Sequence, residues 1–262
     1  MINFFAPMLN ADARSSELRW GLSGALVLVA GWSIFLLDGT TLLELTSEDG
    51  PVEYLGALCW FGAAVAFFLA FFNSERAVRI AGWKMRRNWF FALLGILFIF
   101  AGGEEISWGQ RIFGFETPDA LREMNTQSEL SVHNLTIFGE RDSENVWTYR
   151  YTKWLSIERM FNVFWLGYCF LFPIAVRSLG VLRKPVDALN VPVPPLLLGS
   201  MFMLNYGIYK AVEMVGVLPG RPDLHWPSVE MKESLFAVLF LVLALYFLRS
   251  CFPAQPQGGP AH

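Results

Sequence analysis

The sequence predicts an all-α polytopic membrane protein with six transmembrane helices, and three observations predict it. Of the 262 residues, 54% are hydrophobic and only 16% charged, whereas a soluble domain averages about 25% charged residues. The apolar residues gather into blocks of roughly 20, the helix length that crosses a bilayer. Lys and Arg recur in alternate short connections, as the positive-inside rule requires. A single transmembrane domain over 1–252 is expected, with 253–262, rich in Pro, Gly and Gln, as a disordered cytoplasmic tail.

Before the first span, 1–17 holds Phe4, Phe5, Met8 and Leu9 but neither a basic start nor a cleavage site. A short amphipathic helix in the inner interface and a disordered tail are the two readings of it. The first two spans, near 18–38 and 53–72, carry no Asp, Glu, Lys or Arg between 21 and 37 or between 55 and 72, and read as scaffold. The third, near 89–107, ends on Glu104 and Glu105. The fourth, near 155–176, opens with Glu158, Arg159 and Asn162. The fifth, near 194–216, carries Asn205, Tyr206, Tyr209, Lys210 and Glu213. The sixth, near 231–249, starts beside Glu230 and Glu233.

Charge orients these spans. The 73–88 connection holds Arg76, Arg79, Lys84, Arg86 and Arg87, and the one after the fourth span holds Arg177, Arg183 and Lys184, so both are expected in the cytoplasm. By contrast 39–51 has Glu44, Glu48 and Asp49 without Lys or Arg, and 216–228 has a single Arg. Both termini are then cytoplasmic, and 108–154 forms a long, partly helical extracytoplasmic loop. In that loop Thr117 is expected to cap a helix with Pro118 in its first turn, and Leu121 and Met124 give it a membrane-facing side. Glu129 and His133, four apart, would share a helical face. Trp108 and Trp226 are expected as interface anchors.

Cys59 and Cys169 lie inside spans and Cys251 at a span end, so they read as structural thiols rather than a disulfide framework. A net charge of −3 without a basic domain excludes nucleic acid as a partner. There is no nucleophile elbow and no phosphate-cradling glycine loop followed by Lys.

The candidate site comes from the cost of charge in lipid. A carboxylate within a span costs a few kcal/mol on insertion scales, so it faces protein or water and commonly does chemistry or transport. Spans three to six carry their charge at the outer end. Asn205, Tyr209 and Glu213 recur at i, i+4 and i+8, with Tyr206 and Lys210 one position on, which makes one stripe expected to face the bundle. Lys210 and Glu213, three apart, can neutralise each other.

Three functions remain open on these residues. In an acid–base reading, Glu104, Glu105 and His133 are catalytic. Arg111, Gln110, Asn134, Asn205, Tyr209, Lys210 and Glu213 then bind a lipid or lipid-linked substrate, Arg being suited to clasp phosphate and a Glu at the hydrocarbon edge to general-acid work. In a metal reading, Glu105, Glu129 and His133 hold a divalent ion, with Glu104 and Glu213 as further oxygen donors. In the third, the polar cluster belongs to a transporter or to an accessory subunit of an envelope complex.

The string Gly103-Glu-Glu-Ile-Ser-Trp-Gly-Gln-Arg-Ile-Phe-Gly114, followed by Thr117-Pro118, Asn125, Gln127, Glu129 and His133-Asn134-Leu135, resembles a family of uncharacterised bacterial polytopic membrane proteins. The resemblance covers about residues 100–136. It implies a bacterial inner-membrane setting and marks this segment as the working part, but it assigns no role to any residue.

Overall fold

Helices carry the fold of the computed structural model, which describes residues 11–74, 78–80, 83–85, 87–137, 139–141, 147–149, 156–217 and 222–252. The expectations for 1–10 and for the tail 253–262 lie outside these residues. In chain order the helices are α1 (Ala11–Trp32), α2 (Gly39–Leu45), α3 (Pro51–Asn73), α4 (Trp89–Glu105), α5 (Gln110–Phe113), α6 (Asp119–Arg122) and α7 (Ile157–Phe164). They continue with α8 (Phe172–Ser178), α9 (Gly180–Leu189), α10 (Leu196–Val217) and α11 (His225–Ser250). Two antiparallel ribbons of three-residue strands sit in the connections, β1 (Val78–Ile80) with β2 (Trp83–Met85) and β3 (Gly139–Arg141) with β4 (Trp147–Tyr149).

Among the described residues, four stretches are long and apolar enough to cross a membrane: Arg14–Leu36, Pro51–Asn73, Ile157–Ser178 and His225–Ser250. The other two expected spans fall outside this set for different reasons. α4 has 17 residues, a rise of about 26 Å at 1.5 Å per residue, a little short of the roughly 30 Å hydrocarbon layer. α10 has the length, at 22 residues, but its polar stripe dilutes its apolar content.

α11 is the centre. It packs along α3 and also against α1 and α10, while α4 lies on α3. The α3 face explains how closely these helices approach. Gly56, Ala63 and Ala70 fall seven apart, with Cys59, Trp60, Ala66 and Phe67 between them, and all are buried. This is a coiled-coil rhythm, in which small residues let two helix backbones come near enough for dispersion to hold them in lipid. Ala237 and Ala244 repeat the seven-residue step on α11, both with 0% exposure. α1 uses the same device: a Cβ at Gly21 would sit 2.8 Å from Leu197 Cβ, and one at Gly24 2.8 Å from Met201 Cγ, both on α10.

Aromatic rings fill the seam between the small residues. Phe98 of α4 stacks on Trp60 at 5.3 Å between centroids and meets Phe240 of α11 at 4.7 Å; Phe202 of α10 reaches the same Phe240 at 4.7 Å. Such pairs each contribute about 0.5–1.5 kcal/mol beyond the area they bury.

The fourth span is not one regular helix. Between α7 and α8 runs a π-helical segment, Trp165–Leu171. Pro173 follows it and has no N–H to give the Cys169 carbonyl four residues back. Gly199 of α10 stands against that carbonyl so closely that any Cβ there would collide with it. Wider helical turns of this type commonly mark functional sites or kinks.

One end of the bundle is tied by a buried carboxylate. Glu17 of α1 accepts from Arg177 Nη2 at 2.6 Å and from the Leu196 amide at 2.6 Å, so it pairs with α8 and caps α10 at once. At the same end the Asn88 side chain starts α4 by accepting from the Phe90 amide at 3.1 Å and donates to Asn190 O at 2.8 Å.

Candidate functional site

The turn after α4 explains the Gly-Glu-Glu-Ile-Ser-Trp-Gly string residue by residue. Ser107 (φ 46°), Trp108 (φ 54°) and Gly109 (φ 82°) are successive left-handed residues, a backbone that costs bulky residues about 1–2 kcal/mol each. They fold the chain back so that the Trp108 indole lies over Gly103, where a Cβ would stand 2.9 Å from Cε3. Trp108 Nε1 then donates to Glu104 Oε1 at 2.7 Å. Trp108, expected as an interface anchor, is therefore also a strut.

Glu104 is 6% exposed and sits at the negative end of its helix, an unfavourable place for a carboxylate. The loop compensates it. Glu104 Oε2 accepts from the Val132 amide at 2.7 Å, the His133 amide at 2.9 Å and lies 3.1 Å from His133 Nδ1. The expected pairing of Glu104 with His133 is thus present, but Glu104 is saturated with donors. That is the surroundings of an anchoring acceptor and not of a general acid.

The rest of the 106–137 segment is held the same way. Ser107 Oγ donates to Glu129 Oε2 at 2.7 Å. Gln110 donates to Thr117 Oγ1 at 2.6 Å and accepts from the Leu130 amide at 2.7 Å. Asn125 donates to Ser131 O at 2.7 Å and accepts from the Gln127 amide at 2.9 Å, and Asn134 donates to Gln127 Oε1 and to Ser131 Oγ. Two local expectations change here. Thr117 caps no helix: α6 starts after Pro118 without a side-chain cap, and the Thr117 hydroxyl donates to Ser128 O at 2.8 Å. Nor do Glu129 and His133 share a helical face, because 128–133 is a chain of bends closed by these cross-links.

Glu105 points elsewhere. Its Oε1 lies 3.3 Å from where a Cβ would stand on Gly56, next to Ser234 Oγ at 2.9 Å from the same point. It therefore faces α3 and α11, away from Glu104. The side chain of Arg111 lies outside the described residues. Among those residues no group of three or more His, Cys, Asp and Glu side chains could hold a metal ion. Glu105, Glu129 and His133 are not gathered as a ligand set: Glu129 is engaged with Ser107 and His133 with Glu104.

A second polar group lies between α10 and α11. No family model, curated protein or solved structure matches the chain. The reading of this group therefore rests on its own geometry. Asn205, with 0% exposure, accepts from Trp32 Nε1 at 3.0 Å and donates to Lys232 O at 3.0 Å, binding α1, α10 and α11 together. One turn on, the buried Tyr209 ring has two ammonium groups against it, Lys210 Nζ at 4.8 Å and Lys232 Nζ at 4.7 Å from its centroid. Lys210 pairs with Glu213 at 2.7 Å, as its spacing predicts, and Tyr209 Oη donates to Glu213 Oε1 at 3.4 Å. His225 Nδ1 is 3.9 Å from the same carboxylate. Lys232 is held by Glu233 at 3.0 Å, and Glu158 of α7 stands within electrostatic range of both Lys232 and Tyr209.

Lys232 is the residue that sequence reasoning passed over. Counting only carboxylates at the start of the last span hides it. The visible signal was its place in the i, i+4, i+8, i+11 series Ser228, Lys232, Phe236 and Leu239, one face of α11 that is buried throughout. Glu104 with His133, Glu105, and the Tyr209 group are three arrangements around the same end of α3 and α11. Among the described contacts no hydrogen bond or ion pair joins Glu104 or His133 to Glu213.

Proposed function

We propose that this chain is a six-helix protein of the bacterial inner membrane, with both termini cytoplasmic, that binds a lipid or lipid-linked substrate at its extracytoplasmic end and acts on it by acid–base chemistry. α4 is within a few ångströms of the hydrocarbon thickness, a mismatch that bilayers accommodate by local thinning at modest cost. α10 turns Asn205 and Tyr209 into the bundle, while Lys210, expected to face inward with them, is 48% exposed and neutralised by Glu213 at 2.7 Å, which lowers the cost of a crossing.

The observation that carries the reading is Lys232, a lysine only 7% exposed in the central helix, beside a Tyr209 that also touches the half-exposed Lys210. Lys210 can meet an anionic head group from the bilayer surface, where Trp226 stands 61% exposed. The Tyr209 hydroxyl, Glu213 and His225 supply a proton path next to it. In this arrangement the Glu104 loop is the rigid cap of the site, and Glu105 faces α3 and α11.

The test is lipid profiling of a strain lacking the chain, complemented with wild type, Lys232→Met or Tyr209→Phe. Removing one partner of a fully buried ion pair is destabilising because the other charge is left uncompensated, but Glu233 is 40% exposed and can turn to water, so Lys232→Met present in the membrane at normal levels separates function from folding. The wild type should correct an altered lipid species and both variants should fail while present in the membrane at normal levels. A lipid profile indifferent to loss of the chain refutes the proposal. One observation favours a second reading, a non-catalytic transport or accessory component: the resemblance segment spends its polar atoms on holding its own loop, which is what a docking surface needs.

A further inference from the structure

α9 is too short to cross a membrane, yet it exposes an apolar face. Its 10 residues rise only about 15 Å, half of a hydrocarbon layer. Leu182 and Val186 turn toward the protein and are half-buried. Adjoining them on the helix surface, Val181, Pro185, Ala188 and Leu189 form an exposed apolar strip, with Val181 at 77%; Leu179, just before the helix, is exposed as well. Lys184 is exposed at the edge of that face.

Two further features fix the depth at which such a helix can sit. Pro185 lies inside it and has no N–H for the Val181 carbonyl, which must then find a donor in water or head groups rather than in hydrocarbon. The Asn88 to Asn190 bond and the packing of α9 on β1 join it to the 73–88 connection. Together 73–88 and 177–190 contain eight Lys and Arg against one Glu and one Asp.

We propose that α9 is an in-plane membrane helix whose Val181–Leu189 face lies among the upper acyl chains while Lys184 and its basic neighbours engage anionic phospholipid head groups. The apolar face accounts for the burial and the basic surroundings for the choice of lipid, the combination that anchors interfacial helices. This does not depend on the function proposed above, because it concerns the opposite end of the bundle.

The test uses the full chain in vesicles of phosphatidylcholine alone or mixed with phosphatidylglycerol. In a Cys251→Ser background, Val181→Cys and Asp187→Cys are each labelled with an environment-sensitive fluorophore; Cys59 and Cys169 are buried. Spin-labelled lipid should quench the label at 181 and spare the one at 187, whereas aqueous iodide should do the reverse. Lys184→Gln should lower the preference of the bound lipid shell for phosphatidylglycerol by about fivefold, the effect of one surface charge. Equal access of iodide to both positions overturns the proposal. So does protection of 181 from both quenchers, which would mean a protein partner, or an unchanged lipid preference in Lys184→Gln.

Discussion

Replacing Glu104 with Ala should loosen the 128–136 segment and leave the helices assembled. Glu104 receives the Trp108 indole N–H and the Val132 and His133 amides, at 2.7, 2.7 and 2.9 Å. A hydrogen bond to a charged acceptor contributes about 1.5–3 kcal/mol, so each amide that loses it should exchange roughly 10- to 100-fold faster. The three losses do not add in full, since an opening loop lets water satisfy the donors. Hydrogen–deuterium exchange of the protein in lipid discs reads the two amides directly. The Leu130 amide, held instead by Gln110, distinguishes a local effect from loss of the whole loop. Glu104→Gln should fall between, because its amide keeps one acceptor oxygen but turns an NH2 toward donors. Unchanged protection at Val132 and His133 in Glu104→Ala would refute the anchoring role.

Two other perturbations probe the frame. Gly199→Ala places a methyl against the Cys169 carbonyl, a backbone atom that cannot swing aside, and should cost about 1–3 kcal/mol or more; Gly207→Ala, whose Cβ meets open space, is the control, and equal melting of the two variants in detergent would contradict the close approach. Asp38 starts α2 by accepting from the Thr40 hydroxyl, then the Thr41 amide and hydroxyl, and these donors hold its carboxyl well below the usual range. Because the folded value is depressed, the cap persists above the ordinary carboxylate titration and is lost only as pH falls through the lowered value. Thr41 amide exchange should therefore stay slow at pH values where free Asp is half protonated, and a midpoint at the ordinary carboxylate value would argue against the cap.

What the sequence made legible follows from periodicity and charge. The Asn205, Tyr209 and Glu213 stripe could be read because a helix fixes which residues share a face, and the Lys210–Glu213 pair followed from the same rule. The Glu104–His133 encounter was visible as the scarcity of His near an acidic pair. The interior of the loop was not. Its order comes from Gln110, Asn125 and Thr117 bonding partners six to twenty residues away, and no local period records such links. Adjacent carboxylates also look equivalent in a string, whereas successive helical positions point about 100° apart, which sends Glu104 to the loop and Glu105 to α3.

The helix around which the others assemble is also the one that leaves the ribosome after all of them. Until residues 225–250 emerge, Phe98, Phe202, Trp60 and the Gly56–Ala63–Ala70 ridge lack their principal neighbour. Translation proceeds at about 5–20 residues per second, so the earlier helices wait in the bilayer for seconds with an open seam. A holding chaperone or quality-control protease would find its substrate in that interval, and chains stalled before α11 emerges should be the form it captures.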